Sequence, residues 1–578
     1  MFKRISNILL IIVLLAANTP SGFVYAQQSL SITEQQSFVE KIKEWRQTNS
    51  IKILDDEHQP KCGLSLAFEI LHAYPNMSLN YQKTISQLLE PPYRQTNKSL
   101  GFFTVYYDTI GYHVPSLLTP STPPRRMLSD TNYVKNHSDS MRVITEYVDS
   151  TLHIFNSVWK SFVDVMGYMR PPFESGYDKY NIVLTELGGG LYGQTVPNGN
   201  PINPGEFPPR YSSYIEIDND FIAVYPSSRG LPGLRVTAAH EFHHAIQLGS
   251  YGYREADRYF YEITSTWMED VLYNGVNDYY QYIKNSSGAP RGHFAEPNKS
   301  FLATDGLIEY SRAIWGKFVE EKYSASIMRR AWEGMRSFNS IKSLDNALIE
   351  VNSTLRIAFV EFAKWNYFTA GRSLSGKYYS EASGYPLIKE RAEIEMTGTS
   401  RTYNDSTETF SSIYLSVLFN ETPVQIITTN INQDAAEAGN KDNKKYSLLL
   451  RTSQLDGYRE LVSGLFAKIN VGDPQNWTFT SVGQAPVISS LTVYPNPYVI
   501  DGGGKIHIEL PPAGAKLYIY SSDMSLVFSK DFPSDDKEQT IQWDAKDDNG
   551  IRITSGIYFY VAVSNNKEYV GKIAVVRK

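Results

Sequence analysis

Cysteine is nearly absent: Cys62 is the only one in 578 residues. That excludes an intramolecular disulfide framework, a Cys-x-x-Cys redox pair and a four-cysteine metal site. Positive charge is not in excess either. Lys and Arg number 55 against 61 Asp and Glu, a formal net charge of −6, so the broad basic footprint of a nucleic-acid or anionic-membrane binder is missing. Beyond the N-terminus no run approaches the ~18 apolar residues that read as a membrane span. No internal repeat occurs. What is present is ordinary globular composition, with 42% hydrophobic and 20% charged residues, and not that of a disordered chain. At about 100–200 residues per domain the length predicts roughly three to five domains. The 41 Tyr and 27 Phe suit β-rich modules.

The N-terminus has the pattern of a secretory signal. Lys3 and Arg4 precede an apolar stretch from Ile8 to Ala17, too short to span a bilayer, and Val24-Tyr25-Ala26 offers a cleavage site. A signal peptide is expected over 1–26, and a secreted or surface-exposed chain without a transmembrane anchor follows. Residues 27–97 read as a helical, propeptide-like segment, with helices expected through Trp45 and over Leu64–His72 before Pro91-Pro92 breaks the pattern. From 98 to 395 strands alternate with long helices. Strands are expected at Phe102–Tyr107, Tyr180–Leu184 and Tyr214–Ile217. Helices are expected near Met141–Met166, Leu234–Gln247 and Ala256–Tyr273. Residues 396–486 turn to short alternating strands, with a loop over Gln433–Lys445. Val487–Leu491 reads as a linker, and 492–578 as a compact β-sandwich. The expected architecture is multidomain: an α+β domain followed by two β-sandwich-like domains.

The chemistry concentrates in His240-Glu241-Phe242-His243-His244. On a helix, His240 and His244 fall within ~40° of each other, one turn apart. Two imidazoles so placed both reach one Zn²⁺. Glu241 sits ~80° to one side, where its carboxylate can take a proton from the attacking water. His243, on the other side, is expected to support the site without ligating. A catalytic zinc needs a third protein ligand and an open fourth position. Gln247 and Ser250 stand where a metzincin carries Gly and His, which excludes that class. A carboxylate on the next helix is the other solution. Glu262 is the expected ligand and Glu269 the competing candidate. If Glu269 does not ligate, it can orient a zinc histidine through its other ring nitrogen, as Thr266 can more weakly. A donor for the developing oxyanion is also required, with Tyr310 and His293 as candidates. The strand Tyr214–Ile217 is the expected place for an extended substrate to pair.

At these residues the chain resembles the gluzincins, in which HExxH is followed by a helix bearing a ligating Glu. More narrowly it looks like a family of bacterial secreted metalloproteases. The likeness is carried by Phe102–Tyr107 with Gly111, Gly167-Tyr168, Pro171-Pro172, Gly190–Gly193, His240–Gln247, and Glu262 with Trp267–Asp270, across about residues 98–335. Tyr261 and Thr266 depart from the thermolysin pattern around the ligand Glu. The resemblance implies a zincin-like catalytic domain and peptide-bond hydrolysis of a protein or peptide substrate. With no Gly-Ala-Met-Glu-Asn run of an exopeptidase in the sequence, an endopeptidase is expected, and a monomer. An aminopeptidase, another zinc hydrolase of this fold, or an inactive peptidase-like adhesion protein are the alternatives.

Two further segments carry resemblances. Val493-Tyr494-Pro495-Asn496-Pro497, Trp543-Asp544, Asn549-Gly550 and Gly556-Ile557-Tyr558 resemble the C-terminal sorting domains of type IX secretion and the immunoglobulin-like domain of flagellar hook-capping proteins. This implies secretion machinery or a surface polymer as partner. Pro60-Lys61-Cys62-Gly63 resembles the core of the matrixin cysteine switch, which implies a thiolate at the zinc's fourth position in a precursor.

Overall fold

The computed structural model describes residues 30–47, 61–116, 137–187, 190–221, 224–395, 397, 400–419, 422–441, 444–451, 468–469 and 477–482, and then 491–500, 504–510, 514–521, 526–533, 539–564 and 567–577. The signal peptide expected over 1–26 and most of the expected linker lie outside the described residues. Among the described residues no helix is long and apolar enough to cross a membrane.

Three helices come first: α1 (Ile32–Gln47), α2 (Leu64–Ala73) and α3 (Leu79–Leu88). A five-stranded sheet follows, built from β1 (Thr96–Leu100), β2 (Phe103–Tyr107), β3 (Tyr180–Thr185), β4 (Gly193–Pro197) and β5 (Ser213–Asp218). Its order is β1-β2-β3-β5-β4, with β2, β3 and β5 parallel and β4 antiparallel to β5. β5 therefore has a neighbour on each side. This corrects the expectation that Tyr214–Ile217 offers a pairing edge: its backbone groups are already used, and the edge strand beyond it is β4.

The period of two along β3 and β5 divides their side chains between two layers. Ile182, Leu184, Ile215 and Ile217 join the core that also contains α4 (His137–Trp159) and α5 (Leu231–Ile246). Phe242 of α5 meets Phe103 and Tyr180 edge-on, with ring centroids 5.4 and 5.8 Å apart. The other face, with Val183, Val196 and Tyr214, is covered by Val39, Ile42, Ile70, Tyr74, Ile85 and Leu89 of the N-terminal segment. Both faces of the sheet are thus buried, as parallel sheets require.

α1 is also pinned by charge. Arg46 donates from Nη1 to Glu216 at 2.5 Å and from Nη2 to the Tyr214 hydroxyl at 2.6 Å. Burial pushes the Glu216 carboxyl up, but Arg46 and the hydrogen bonds from Gln194 and Tyr214 outweigh it and hold it below its ordinary 4.5. A depressed acid stabilises the fold above its unfolded pKa and loses that contribution as pH falls through the folded one. Glu216→Gln is therefore expected to loosen α1 above pH 4.5 by an amount that vanishes in more acid solution. Hydrogen exchange of α1 amides in wild type and variant across pH 3–7 checks it. A difference that persists unchanged at pH 3 would contradict the ion pair's role.

α6 (Arg258–Tyr273) follows α5, and further helices fill residues 280–367. The segment after 390 forms two sheets, of three and four strands. Two details differ from expectation. Gln433–Glu437 is a short helix, not loop, because the Asn432 side chain accepts from Ala435 N and caps it. Phe410, in the bend before a strand, and the strand residues Tyr414 and Ile427 belong to the same core as the helices, with Phe359 and Phe410 rings 4.2 Å apart. Among the described residues, that β region shares a core with the helical region. The described residues from 491 to 577 hold a separate core, with strands of a three-stranded and a five-stranded sheet.

Candidate metal centre

α5 starts after Gly230, whose φ is 70°, with Pro232 in the first turn, where a missing N–H leaves no helical bond unmade. From Gly233 to Ile246 every residue except Arg235 is buried. The helix then widens into a π-turn over Gln247–Tyr251 and stops at Gly252, φ 90°. Such widened turns often accompany functional sites, and this one turns Gln247 back beneath the histidines.

His240 Nδ1 lies 2.6 Å from Glu269 Oε1, and His244 Nδ1 lies 2.7 Å from Gln247 Oε1. The Gln247 amide nitrogen donates to the Tyr261 carbonyl, which fixes its orientation. Both Nδ1 atoms thus face acceptors and carry the ring protons, so both Nε2 atoms turn lone pairs inward. Those two Nε2 atoms are 2.9 Å apart. Glu262 Oε2 lies 3.3 and 3.5 Å from them, and neither Glu262 oxygen has a hydrogen-bond partner. The Cys62 sulfur completes the group. One ligand atom from each of Cys62, His240, His244 and Glu262 lies within 4.8 Å of all the others, and all four residues are buried.

Buried acceptors brought together carry a large desolvation cost unless a proton or a cation sits between them. A cation relieves it, and two imidazoles, a carboxylate and a thiolate are a donor set that suits zinc. The competing occupant is a proton. Burial pulls His240 down, but Glu262 and Glu269 outweigh it and lift the ring to about 9. Burial also pushes the Glu262 carboxyl up, yet the two histidines hold it down at about 2.

Glu241 is buried beside this group. The Thr195 hydroxyl of β4 lies 2.8 Å from both its Oε2 and its carbonyl oxygen. The Cys62 thiol faces the same carboxylate: burial, then Glu241 and Glu262, push it well above its usual range. A divalent cation between them would reverse that sign. β4 can lie this close to α5 because residue 193 is glycine. A Cβ there would stand 2.6 Å from Thr237 and 3.0 Å from Glu241.

The remaining expected residues divide. Glu269 sits on His240 Nδ1, outside the converging group. His243 is fully buried, with Nδ1 on Ser265 and Gln247; burial and the two neighbouring histidines keep it neutral. Thr266 reaches no histidine, and its hydroxyl is buried without a partner. Tyr310 stacks over His240 at 6.3 Å, and its buried hydroxyl has no partner. His293 is not at the site: its Nε2 pairs with Asn366 and its ring packs on Phe362. Three contributors were not foreseen from sequence. Gln247 was noted only as a failed metzincin position, and Thr195 carried no motif. Lys61, whose Nζ donates to both Glu269 and Asp278 (2.6 Å for Asp278), stood out only as a neighbour of Cys62.

No family model matches this sequence, and no curated protein matches it. Among solved structures the chain has partial likeness to PorZ, a surface component of the type IX secretion system of Porphyromonas gingivalis. That match has 13% identity, covers 29% of each chain and has a TM-score of 0.14. It also has partial likeness to dimeric latent PorU of the same organism, at 13% identity, 27% of this chain, 18% of that one and a TM-score of 0.13. The chain thus spans under a third of either neighbour's length, and likeness at this level carries no argument about fold or function.

Proposed function

We propose that the chain is a zinc-dependent endopeptidase. The observation that carries this reading is the pair of converging Nε2 lone pairs from His240 and His244, joined by the unpartnered Glu262 carboxylate and flanked by Glu241. Zinc bound there would supply Lewis acidity, lowering the pKa of a water toward ~7 and polarising a carbonyl. The chain's own residues do the rest. Glu269 and Gln247 hold the imidazoles in the ligating tautomer. Glu241, oriented by Thr195, accepts the proton of the attacking water and delivers it to the departing amine. The free hydroxyl of Tyr310 is the donor offered to the oxyanion. β4 is the edge on which an extended peptide backbone pairs.

A second reading has its own observation. Four protein donors close a zinc site, and closed sites are structural. Against it stands the buried Glu241 carboxylate next to His240 in the chain and held by Thr195, which a structural site does not require. The C-terminal sandwich, with its Tyr494-Pro495-Asn496-Pro497 opening, is read as an export or surface-attachment module.

Metal analysis and casein cleavage test these readings together. One zinc per chain is expected, with cleavage by the processed protein that phenanthroline removes and added zinc restores. A chain cut after residue 491 should keep both and lose surface retention. One zinc with no cleavage by any processed form would favour the closed structural site.

A further inference from the structure

We propose that the step Lys61–Cys62–Gly63 is a built-in plug that holds the enzyme latent from the substrate's own position; this deepens, and rests on, the zinc-peptidase reading. A single parallel β-bridge sets the segment against the start of the edge strand. Tyr192 N donates to Lys61 O at 2.8 Å, Gly63 N donates to Gly193 O at 3.2 Å, and Cys62 bridges Gly193 in parallel. The backbone groups at the metal-facing end of β4 are therefore taken. Gly63 permits the approach, since a Cβ there would stand 2.7 Å from the Gln194 Cβ.

Two side chains anchor the plug on either side of His240. Cys62 occupies the point where His240, His244 and Glu262 converge. Lys61, itself 3% exposed, reaches the Glu269 and Asp278 carboxylates, both also buried. Glu269 is the residue that orients His240, so the same contact ties the plug to a ligand. Further along the segment, Phe68 and Ser65 wall a pocket of about 190 Å³ that opens beside Glu262. Trp45 adds a hydrogen bond to Gln194 of β4.

Coordination needs no outside reagent. The Cys62 thiol loses its proton to solvent and its sulfur donates a pair to the metal. On displacement the proton returns and the fourth position opens to water. Because α1–α3 also cover the apolar face of the sheet, the event required is displacement of residues 61–63 from β4. Loss of the helices themselves is not needed.

The test uses the full-length chain loaded with cobalt(II) in place of zinc. Wild type should show the near-ultraviolet charge-transfer absorption of a thiolate–cobalt bond, and Cys62→Ser should lack it. An organomercurial should modify Cys62 at least tenfold more slowly in metal-loaded than in metal-free wild type, which needs no variant. Zinc-loaded Cys62→Ser should cleave casein at least tenfold faster than the unprocessed wild type. Absence of the band, or equal thiol reactivity with and without metal, overturns the plug and leaves the peptidase reading standing. A band with a variant that stays latent while the processed wild type is active overturns the thiolate as the lock. A band with no cleavage by variant or processed protein overturns the peptidase reading and the plug with it.

Discussion

Glu241→Gln is expected to lower kcat/KM of the processed protein by about two to four orders of magnitude, the usual worth of a positioned general base, while zinc content stays at wild-type level. The separation follows from the geometry. Glu241 is one residue from His240 but lies to the side of the converging ligands, held by the Thr195 hydroxyl. Gln keeps the length and the hydrogen-bonding oxygen and loses only the ability to accept a proton. Ligation depends instead on His240, His244 and Glu262, whose supports at Glu269 and Gln247 are untouched. Peptide-cleavage kinetics with metal analysis of the same sample measure both quantities. Unaltered turnover would remove Glu241 as the base; parallel loss of zinc would make it part of the ligand set.

Lys61→Met should open the contact between residues 61–63 and β4. Met keeps most of the side-chain volume and removes the charge. Glu269 and Asp278 then remain as buried carboxylates facing each other's neighbourhood without the cation between them. Breaking a buried pair in this way costs about 3–5 kcal/mol, because the surviving charges stay desolvated. Asp278 retains only neutral partners, Ser228, Tyr192 and Gln281. In a chain of several cores a single unfolding free energy is ill-defined, so the local readout is the useful one. Hydrogen exchange at the Tyr192 and Gly63 amides, both bonded across this contact, should accelerate by about a hundredfold or more. Unchanged protection at those two amides would mean that the ion pair does not hold the segment.

The helices of the site were legible because their signals are local. His240 and His244 one turn apart and apolar neighbours at helical spacing lie within one element. The spacing of Glu262 from His244 was likewise readable once a second helix was assumed. The edge strand was misread because alternation along Tyr214–Ile217 marks a strand without stating how many neighbours it has. Pairing partners are set by β3 and β4, far away in sequence. His293 was a plausible donor by residue type and failed by location, since nothing within its own segment says that it faces Asn366. Gln247 was visible only as a mismatch to another family. Its role depends on a π-turn that brings it beneath two histidines, a backbone irregularity with no compositional mark.

By itself the sequence determined which residues could ligate a metal, which carboxylate could serve as base, and that one thiol existed to complicate them. These are properties of residue type and short-range spacing, which a helix of 3.6 residues per turn converts directly into geometry. The tertiary structure alone decided that Cys62 reaches the ligand atoms of His240, His244 and Glu262 at all. It lies 178 residues before His240, and only the pairing of Lys61–Gly63 with β4, with Lys61 drawn between two buried carboxylates, closes that distance. Contacts of that range depend on how sheet edges and helix faces are shared, and neither is written in the pattern of any single segment.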